Sequence, residues 1–502
     1  MAGTERLGTD DETRGGGPSV LPRQGQFDAT VTDLPLMRVE RIWNFWQHSA
    51  VNVGLAIATW AFLQGAAVAY YVGVKQAIAA MIIGYGISVL LVALAPCMPS
   101  VKHGIEQFVG IRSTFGERGA RIFMILVSTL LAAAWSAVLA IMFGHGLVTV
   151  INNVFGVALP ETGVAASLLG LIAIVVSWAI LARGPVSVEA VCRAIAPLLI
   201  LIVVGIIVIV FSRNSWSELT ALVPLGGESD DPHLNFMLAV ELNLAGGFAW
   251  WPNLGNLARL AKTPRAAFWP NWIGVFAASV AAAAVGVLAA LSLQVEEPTQ
   301  WMIPLAGVVL GVIALIVVCL ANITAILSQG YASMVALKGG GGALLRRAAW
   351  PLLGLVILGP AAVLVFFPEA VYENYGRFVS WGAIVLAPLC AVQFVDYFIL
   401  RHRHISVRAL YQPIGESPYT YWRGINLAAF AAVAAGAGTY ALLLNPLSYE
   451  PAPLFRYTTA SLPAFAVAAA AHYLLTRLVV EPRGLGGYGL RPVAGSSSRM
   501  QS

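Results

Sequence analysis

The residues of this chain that are able to do chemistry are few, and they sit where water is scarce. Glu241 lies in the apolar run from Phe236 to Gly247, just ahead of a Gly246-Gly247 pair, with no Lys or Arg in the same stretch. An ionisable group in such surroundings is costly and asks for a role. It can contact a coupling cation or a polar substrate, or it can be a protonated or snorkelling carboxyl near an interface. Asn243 stands two residues on and offers an amide to the same region. Thr324 and Ser328 are i,i+4 neighbours on one helix face, with Gln329 beside them. Oxygen donors of that kind suit a hard cation such as sodium, above all next to carbonyls freed by a broken helix. The plainer role is a hydroxyl bonded back to its own helix. Trp60, Trp135, Trp250 and Trp251 fall inside apolar runs and not at their ends, where Trp usually collects. Flat faces of this kind stack a planar heterocycle at about 0.5–1.5 kcal/mol per ring, or simply pack on one another.

This is equipment for capture and coupling, not for bond making. No HExxH or GxSxG occurs, and beyond the first 45 residues the adjacent acid pairs are Asp230-Asp231 and Glu296-Glu297, both in polar segments. A membrane enzyme is therefore not expected. A passive channel would want rings of carbonyls or charges, which one chain of dissimilar apolar runs does not offer. Cys97, Cys192, Cys319 and Cys390 show no CxxC spacing and read as inert buried thiols, with no metal or disulfide framework and no cofactor.

The elements that must position these groups follow from composition. Of the 502 residues 59% are hydrophobic and only 11% charged, with a mean hydropathy of +0.79. A soluble chain carries about 25% charged residues, so soluble enzymes, nucleic-acid-binding domains and secreted disulfide scaffolds are excluded. What remains is an all-α polytopic membrane protein. Stretches able to cross a bilayer fall near 47–73, 76–98, 119–152, 163–182, 187–211, 235–252, 267–293, 302–337, 349–367, 375–400, 424–445 and 459–480. With these twelve spans and a cytoplasmic N-terminus, 25 of the 29 Lys and Arg residues lie on the cytoplasmic side, leaving Lys75, Arg213, Arg377 and Arg456 outside. A miscounted span would scramble that bias, so count and orientation support each other. Residues 1–45 lack an apolar signal-peptide core and read, like 483–502, as disordered cytoplasmic tails. The expected compartment is the plasma membrane, with both termini cytoplasmic.

Two of the spans look broken. Asn52-Val53-Gly54-Leu55-Ala56-Ile57-Ala58-Thr59-Trp60 and Asn243-Leu244-Ala245-Gly246-Gly247-Phe248-Ala249-Trp250-Trp251 each place an Asn eight residues before a Trp with small residues between. They lie five spans apart, as a duplicated five-helix unit would leave them, and an odd number of spans makes the copies inverted. Close helix packing by small residues is the competing explanation. His145 reads as a packing residue near one end of its span, and Asp396, close to Arg401 and Arg403, as an anchor or gate at the inner face.

The chain resembles the nucleobase–cation symporter family, the cytosine, purine, uracil, allantoin and hydantoin permeases. The stretch Arg112-Ser113-Thr114-Phe115-Gly116-Glu117-Arg118-Gly119-Ala120 is similar to the family's "R-x-SFG-x-x-GA", and Trp135 falls where the family has its span-3 tryptophan. Asn253, Asn256 and Arg259 resemble "N-x-x-D-x-x-R", while Asp396-Tyr397, Leu410-Tyr411 and Tyr421 to Asn426 resemble motifs around spans 10 and 11. The resemblance implies a five-plus-five inverted repeat over 46–211 and 212–400, with helices 1 and 6 broken and two further helices in 401–482. It implies alternating access, with a small heterocyclic substrate between spans 1, 3, 6 and 8, stacked on Trp135 and a span-6 tryptophan. With Trp60, Trp250, Trp251 and Gln329 as further candidates, and Glu241 or Asn243 as the polar contact, these seven are the expected substrate contacts. A coupling cation, Na+ or H+, is implied between broken span 1 and span 8, with Ala56, Ala321 and Thr324 around a sodium ion.

There are departures from the family pattern. Leu139 stands where related carriers have an amide that pairs with the ligand edge, and the span-8 asparagine is replaced by Gln329. The usual span-6 tryptophan position falls on Gly247, with Trp250 and Trp251 a turn later. The expected function is cation-coupled symport of a nucleobase or related planar heterocycle. A sodium-coupled amino-acid carrier of the same fold is the alternative. Neither reading involves nucleic acid; the bilayer, the substrate and the cation are the partners.

Overall fold

Bilayer hydrocarbon forces every backbone N–H and C=O to bond within the protein, so apolar runs of this length become helices. A computed structural model describes residues 34–488, apart from 228, 371 and 373. Among the described residues there is no β-strand, only three isolated bridges. Each of the twelve predicted stretches is occupied by helix. Span 1 is Phe45–Ala56 and Thr59–Tyr71, bent by 53°. Spans 2 to 5 are Val74–His103, Glu117–Phe155, Val164–Leu181 and Pro185–Arg213. Span 6 is Pro232–Phe248 and Trp251–Ala258. Spans 7 and 8 are Pro264–Leu293 and Met302–Gly340, followed by the shorter span 9, Trp350–Leu364. Spans 10 to 12 are Tyr375–Leu400, Leu427–Leu443 and Ser461–Arg483.

The packing obeys an exchange of each span with the one five places later. The second half of span 1 packs on span 7 as span 6 packs on span 2. The first half of span 1 packs on span 5 as span 6 packs on span 10. Span 3 meets span 9 as span 8 meets span 4, and spans 3 and 8 meet each other. Spans 11 and 12 pack together and against span 10. Small residues permit the close approaches. A Cβ on Gly65 would overlap the Ala283 carbonyl oxygen, and one on Gly286 would overlap that of Phe62. The related pair on spans 2 and 6 behaves likewise: a Cβ on Gly84 would press on Asn243, and one on Gly247 on the Ser88 hydroxyl. Without a hydrophobic drive between helices in lipid, such contacts supply much of the adhesion.

The two interruptions differ in kind. In span 1, Ile57 (φ −95°, ψ 90°) and Ala58 (φ −140°, ψ 175°) are extended, so the helix is unwound. In span 6, Ala249 and Trp250 keep right-handed helical angles. There Pro252 supplies no N–H, and the helix slackens without unwinding.

Parts of the sequence assigned to disordered tails are held. Leu36 N–H donates to the Gly104 carbonyl (2.9 Å), and Trp43 exchanges hydrogen bonds with Leu260 and Lys262, both at 2.9 Å. At the other end, Arg401 donates to the Gly486 carbonyl (2.8 Å) and Tyr488 to Asp396 (2.7 Å). Residues 34–44 and 483–488 therefore belong to the fold; the rest of both predicted tails lies outside the described residues. Both described ends lie at the same face of the bundle, called here the terminal face.

Gly65→Ala and Gly286→Ala should each cost about 1–3 kcal/mol by overpacking, seen as a lower Tm and earlier aggregation in detergent. Gly205→Ala is the control, because a Cβ there meets nothing within 4 Å and should leave Tm unchanged.

Candidate functional site

Unwinding span 1 inside the bundle frees backbone groups that must find partners. Span 8 supplies two of them. Asn322 Oδ1 accepts from the Thr59 N–H (3.2 Å) and the Thr59 hydroxyl (2.6 Å), capping the restarted helix from across the bundle. The Thr324 hydroxyl lies 2.5 Å from the Gly54 carbonyl oxygen and 2.7 Å from that of Ala321. One turn on, Ser328 donates to the Thr324 carbonyl (3.0 Å) and lies 3.7 Å from Cys192 Sγ of span 5. Three oxygens from two spans thus converge at Thr324, a donor set that suits a hard cation. The span-1 carbonyl that Thr324 reaches is that of Gly54. Ala56, two residues on, ends the half-helix and is buried.

Beside this junction lies a cavity walled by Trp60, Trp135 and Trp250, with Leu55, Leu139, Gly246, Ala249, Asn253, Ala325 and Gln329 completing the lining. The Trp60 ring meets Trp250 edge to face at 5.1 Å and Trp135 at 6.2 Å. About 40 Å³ of space remains, room for about three waters. The polar groups at the wall are sparse. Gln329 donates to the Ser136 hydroxyl (2.8 Å). Among the described residues Trp250 Nε1 and Asn253 Oδ1 are buried with no hydrogen-bond partner, so a donor and an acceptor stand ready for a ligand's polar edge.

Packed layers of side chains lie on both sides of the cavity. Towards the face opposite the chain ends, Trp135 packs on Tyr375 (6.2 Å) and Phe378 (4.9 Å) of span 10. Tyr375 donates to Gln64 (2.8 Å), and Gln64 donates to the Leu242 carbonyl (2.9 Å), joining spans 10, 1 and 6 in one layer. Beyond it opens a vestibule of about 410 Å³. Towards the terminal face, Asn256 joins Gln107 N–H (2.7 Å) to the Ala332 carbonyl (2.9 Å). Next to it the Glu106 carboxyl is pushed above the usual range by burial, opposed by backbone N–H donors such as that of Val109, by Asn256 and by Arg259.

Of the predicted substrate contacts, the fold brings Trp60, Trp135, Trp250 and Gln329 to one cavity. Three others lie elsewhere. Glu241 accepts from the Ala460 and Ser461 N–H groups (both 2.9 Å) and the Ser461 hydroxyl (2.6 Å). It caps span 12, where orphan N–H groups and the helix dipole favour an anion. Asn243 donates to the Ala239 carbonyl of its own helix (2.7 Å) and packs on span 2. Trp251 is fully buried, donating to Gln393 (2.8 Å) and packing on Phe108. Successive helical residues point about 100° apart, so Trp250 can face the cavity while Trp251 faces span 10. Sequence reasoning missed Gly54, Leu55, Gly246, Ala249 and Ala325 as contacts. The spacing Gly246, Ala249 or Trp250, Asn253 is one helix face, and Ala325 lies one turn from Gln329, so periodicity carried a signal. His145 packs edge to face on Tyr372 at 5.4 Å.

A family model for permeases of cytosine and purines, uracil, thiamine and allantoin matches residues 35–451. The hydantoin permease of Microbacterium maritypicum is 37% identical over 79 residues, 16% of each chain. The allantoin permease of Bacillus subtilis (strain 168) is 43% identical over 68 residues, 12% of this chain and 14% of that one. The chain thus matches only a small part of the length of these two relatives. The purine-uracil permease NCS1 of Arabidopsis thaliana aligns over 468 residues at 24% identity, 82% of this chain and 71% of its own. Among solved structures, Mhp1, a nucleobase-cation-symport-1 family transporter, closed with bromovinylhydantoin bound, matches with a TM-score of 0.72 at 18% identity. That match covers 91% of this chain and 96% of Mhp1. Inward-facing Mhp1 gives 0.71 at 18% identity over 95% and 99%. A substrate-bound, outward-open Na+-coupled sialic acid symporter gives 0.58 at 11% identity over 90% and 94%. At these identities the likeness is one of fold.

Glu241→Gln puts an amide N–H₂ among N–H donors, and should cost about 1–3 kcal/mol, lowering Tm by several degrees; Ser461→Ala should lower it less. An unchanged Tm together with altered ligand affinity would return Glu241 to the cavity.

Proposed function

The chain belongs to the nucleobase–cation symporters, the permease family for cytosine and purines, uracil, thiamine and allantoin, and on that premise we propose that it takes up a small planar heterocycle together with a sodium ion by alternating access. The observation that carries this reading is the tryptophan-walled cavity adjoining the oxygen-lined break of span 1. Rings stack on Trp135 and Trp250, and the ring's polar edge pairs with Gln329, Asn253 and Trp250 Nε1. Leu139 makes the opposing wall apolar, so the substrate class is a ring with amide-type groups on one edge and an apolar edge or substituent on the other. A substituted hydantoin has that character.

Sodium is favoured over a proton because Gly54, Ala321 and Thr324 converge as neutral oxygens. The carboxylate that would serve a proton, Glu241, is engaged by span 12. A bound cation would tie span 1 to span 8 and preorganise the cavity beside it. Such coupling is reciprocal and typically worth 1–3 kcal/mol. The basic-residue bias supports cytoplasmic termini in a plasma membrane.

Uptake of labelled cytosine, uracil, hypoxanthine, allantoin, a 5-substituted hydantoin and thiamine, in sodium and in choline, tests the reading. Accumulation of one compound that collapses in choline is the expected result. Sodium-indifferent uptake abolished by a protonophore would refute the sodium assignment, and no uptake of any compound would refute the substrate class. In purified protein, Trp135→Ala should weaken binding of the transported compound about three- to tenfold, from the stacking energy of one ring. Thr324→Ala should remove the sodium dependence of binding while the folded fraction stays intact. Sodium dependence that survives would place the ion elsewhere.

A further inference from the structure

Trp60 lines the cavity together with Trp135 and Trp250, and its ring contacts both of theirs. Its ring centroid is 5.1 Å from that of Trp250 and 6.2 Å from that of Trp135, edge to face with both at 74° and 81°. A planar ligand stacked on Trp135 or Trp250 would compete with the Trp60 ring, which already covers part of both. The space left over, about 40 Å³, does not admit a heterocycle while the indole is there. The indole N–H donates to the Leu55 carbonyl at 3.3 Å, beyond the usual range of such bonds. That carbonyl lies in the last turn before the break. Trp60 itself sits in the first turn after the unwound Ile57-Ala58 pair, where the backbone can re-aim a side chain.

We propose that the Trp60 indole is a tethered occupant of the substrate slot, displaced by the transported ring, whose own N–H then takes the Leu55 carbonyl. The inference rests on the heterocycle reading above and deepens it. It assigns Trp60 as the residue that sets which ring sizes enter, and it requires a substrate with a ring N–H. A wall residue adds affinity; an occupant subtracts it, because every ligand must first pay to move the indole aside.

The two roles predict opposite signs. Binding of labelled 5-benzylhydantoin and of free indole is measured on the wild-type protein, Trp60→Ala and Trp60→Phe in sodium-containing nanodiscs. The expected result is at least tenfold tighter 5-benzylhydantoin binding to Trp60→Ala than to wild type. Free indole should saturate Trp60→Ala but not wild type, and N-methylindole should bind that variant at least fivefold more weakly than indole. Weaker hydantoin binding to Trp60→Ala, or indole binding equal in the two proteins, overturns the proposal. If Trp60→Ala does not elute as a folded monodisperse species, Trp60→Phe carries the test. Its smaller ring, without an N–H, should tighten hydantoin binding two- to fivefold, and unchanged or weaker binding overturns the proposal. The indole arm separates the two readings. Indole saturation of Trp60→Ala with no hydantoin binding to any protein refutes the heterocycle class and leaves the occupant role standing. Hydantoin binding to wild type that Trp60→Ala loses refutes the occupant role alone.

Discussion

Unwinding two residues of a helix inside a membrane exposes backbone groups to a medium that cannot hydrogen-bond them, and each left unpaired costs several kcal/mol. The arrangement around Ile57 and Ala58 answers that constraint. Asn322 caps the restarted half-helix, Thr324 meets the Gly54 carbonyl, and Trp60 turns its N–H back to Leu55. The candidate cation locus is made of groups that carry out this repair, and the candidate substrate cavity lies beside it. Span 8 provides the Asn322 and Thr324 caps, so the two candidate places adjoin one junction.

Span 6, the symmetry mate, solves the problem differently. Its backbone slackens at Ala249 and Trp250 without unwinding, so few groups need rescue and no capping side chain is recruited from span 3. The duplicated architecture thus carries an asymmetric division of labour. Span 1 supplies freed carbonyls; span 6 supplies a smooth face on which Gly246, Trp250 and Asn253 line the cavity. The same helix gives its other face to Gln393, Phe108 and Gln107, which fix it to span 10 and the segment after span 2.

The terminal face is fastened by charge. Asp396 accepts from Arg401 (2.7 Å), Thr114 (2.8 Å) and Tyr488 (2.7 Å), while Arg401 also donates to the carbonyls of Ser113 and Gly486. A buried pair of this kind contributes little net stability, yet removing one partner is expensive because it strands the other charge. Its effect is to hold four segments in register: the end of span 10, the loop after span 2, the approach to span 11 through Tyr421, and the C-terminal stretch. Gly486 and Tyr488, whose composition reads as tail, are thereby held to the fold.

Sequence alone determined what composition and periodicity control. The all-helical polytopic architecture, the positions of twelve spans and the interruption of spans 1 and 6 follow from apolar run length and small-residue spacing, which report solvent and backbone freedom directly. The motifs around Arg112, Trp135 and Asp396 carried the family, while Trp60, Trp135 and Trp250 stood out because they lie inside apolar spans and not at their ends. Tertiary structure alone decided which polar residues face the cavity and which are spent on packing. Glu241 is conspicuous in the sequence because a carboxyl in lipid demands a partner. That partner, the start of span 12, lies more than two hundred residues away and leaves no mark near Glu241 in the chain. Trp250 and Trp251 look equivalent in sequence, yet a rotation of about 100° per residue gives them opposite surroundings once neighbouring helices are in place. Gly54 and Leu55 contribute through backbone carbonyls, which every residue has. Only the unwinding of the helix, a collective outcome of packing, makes them available.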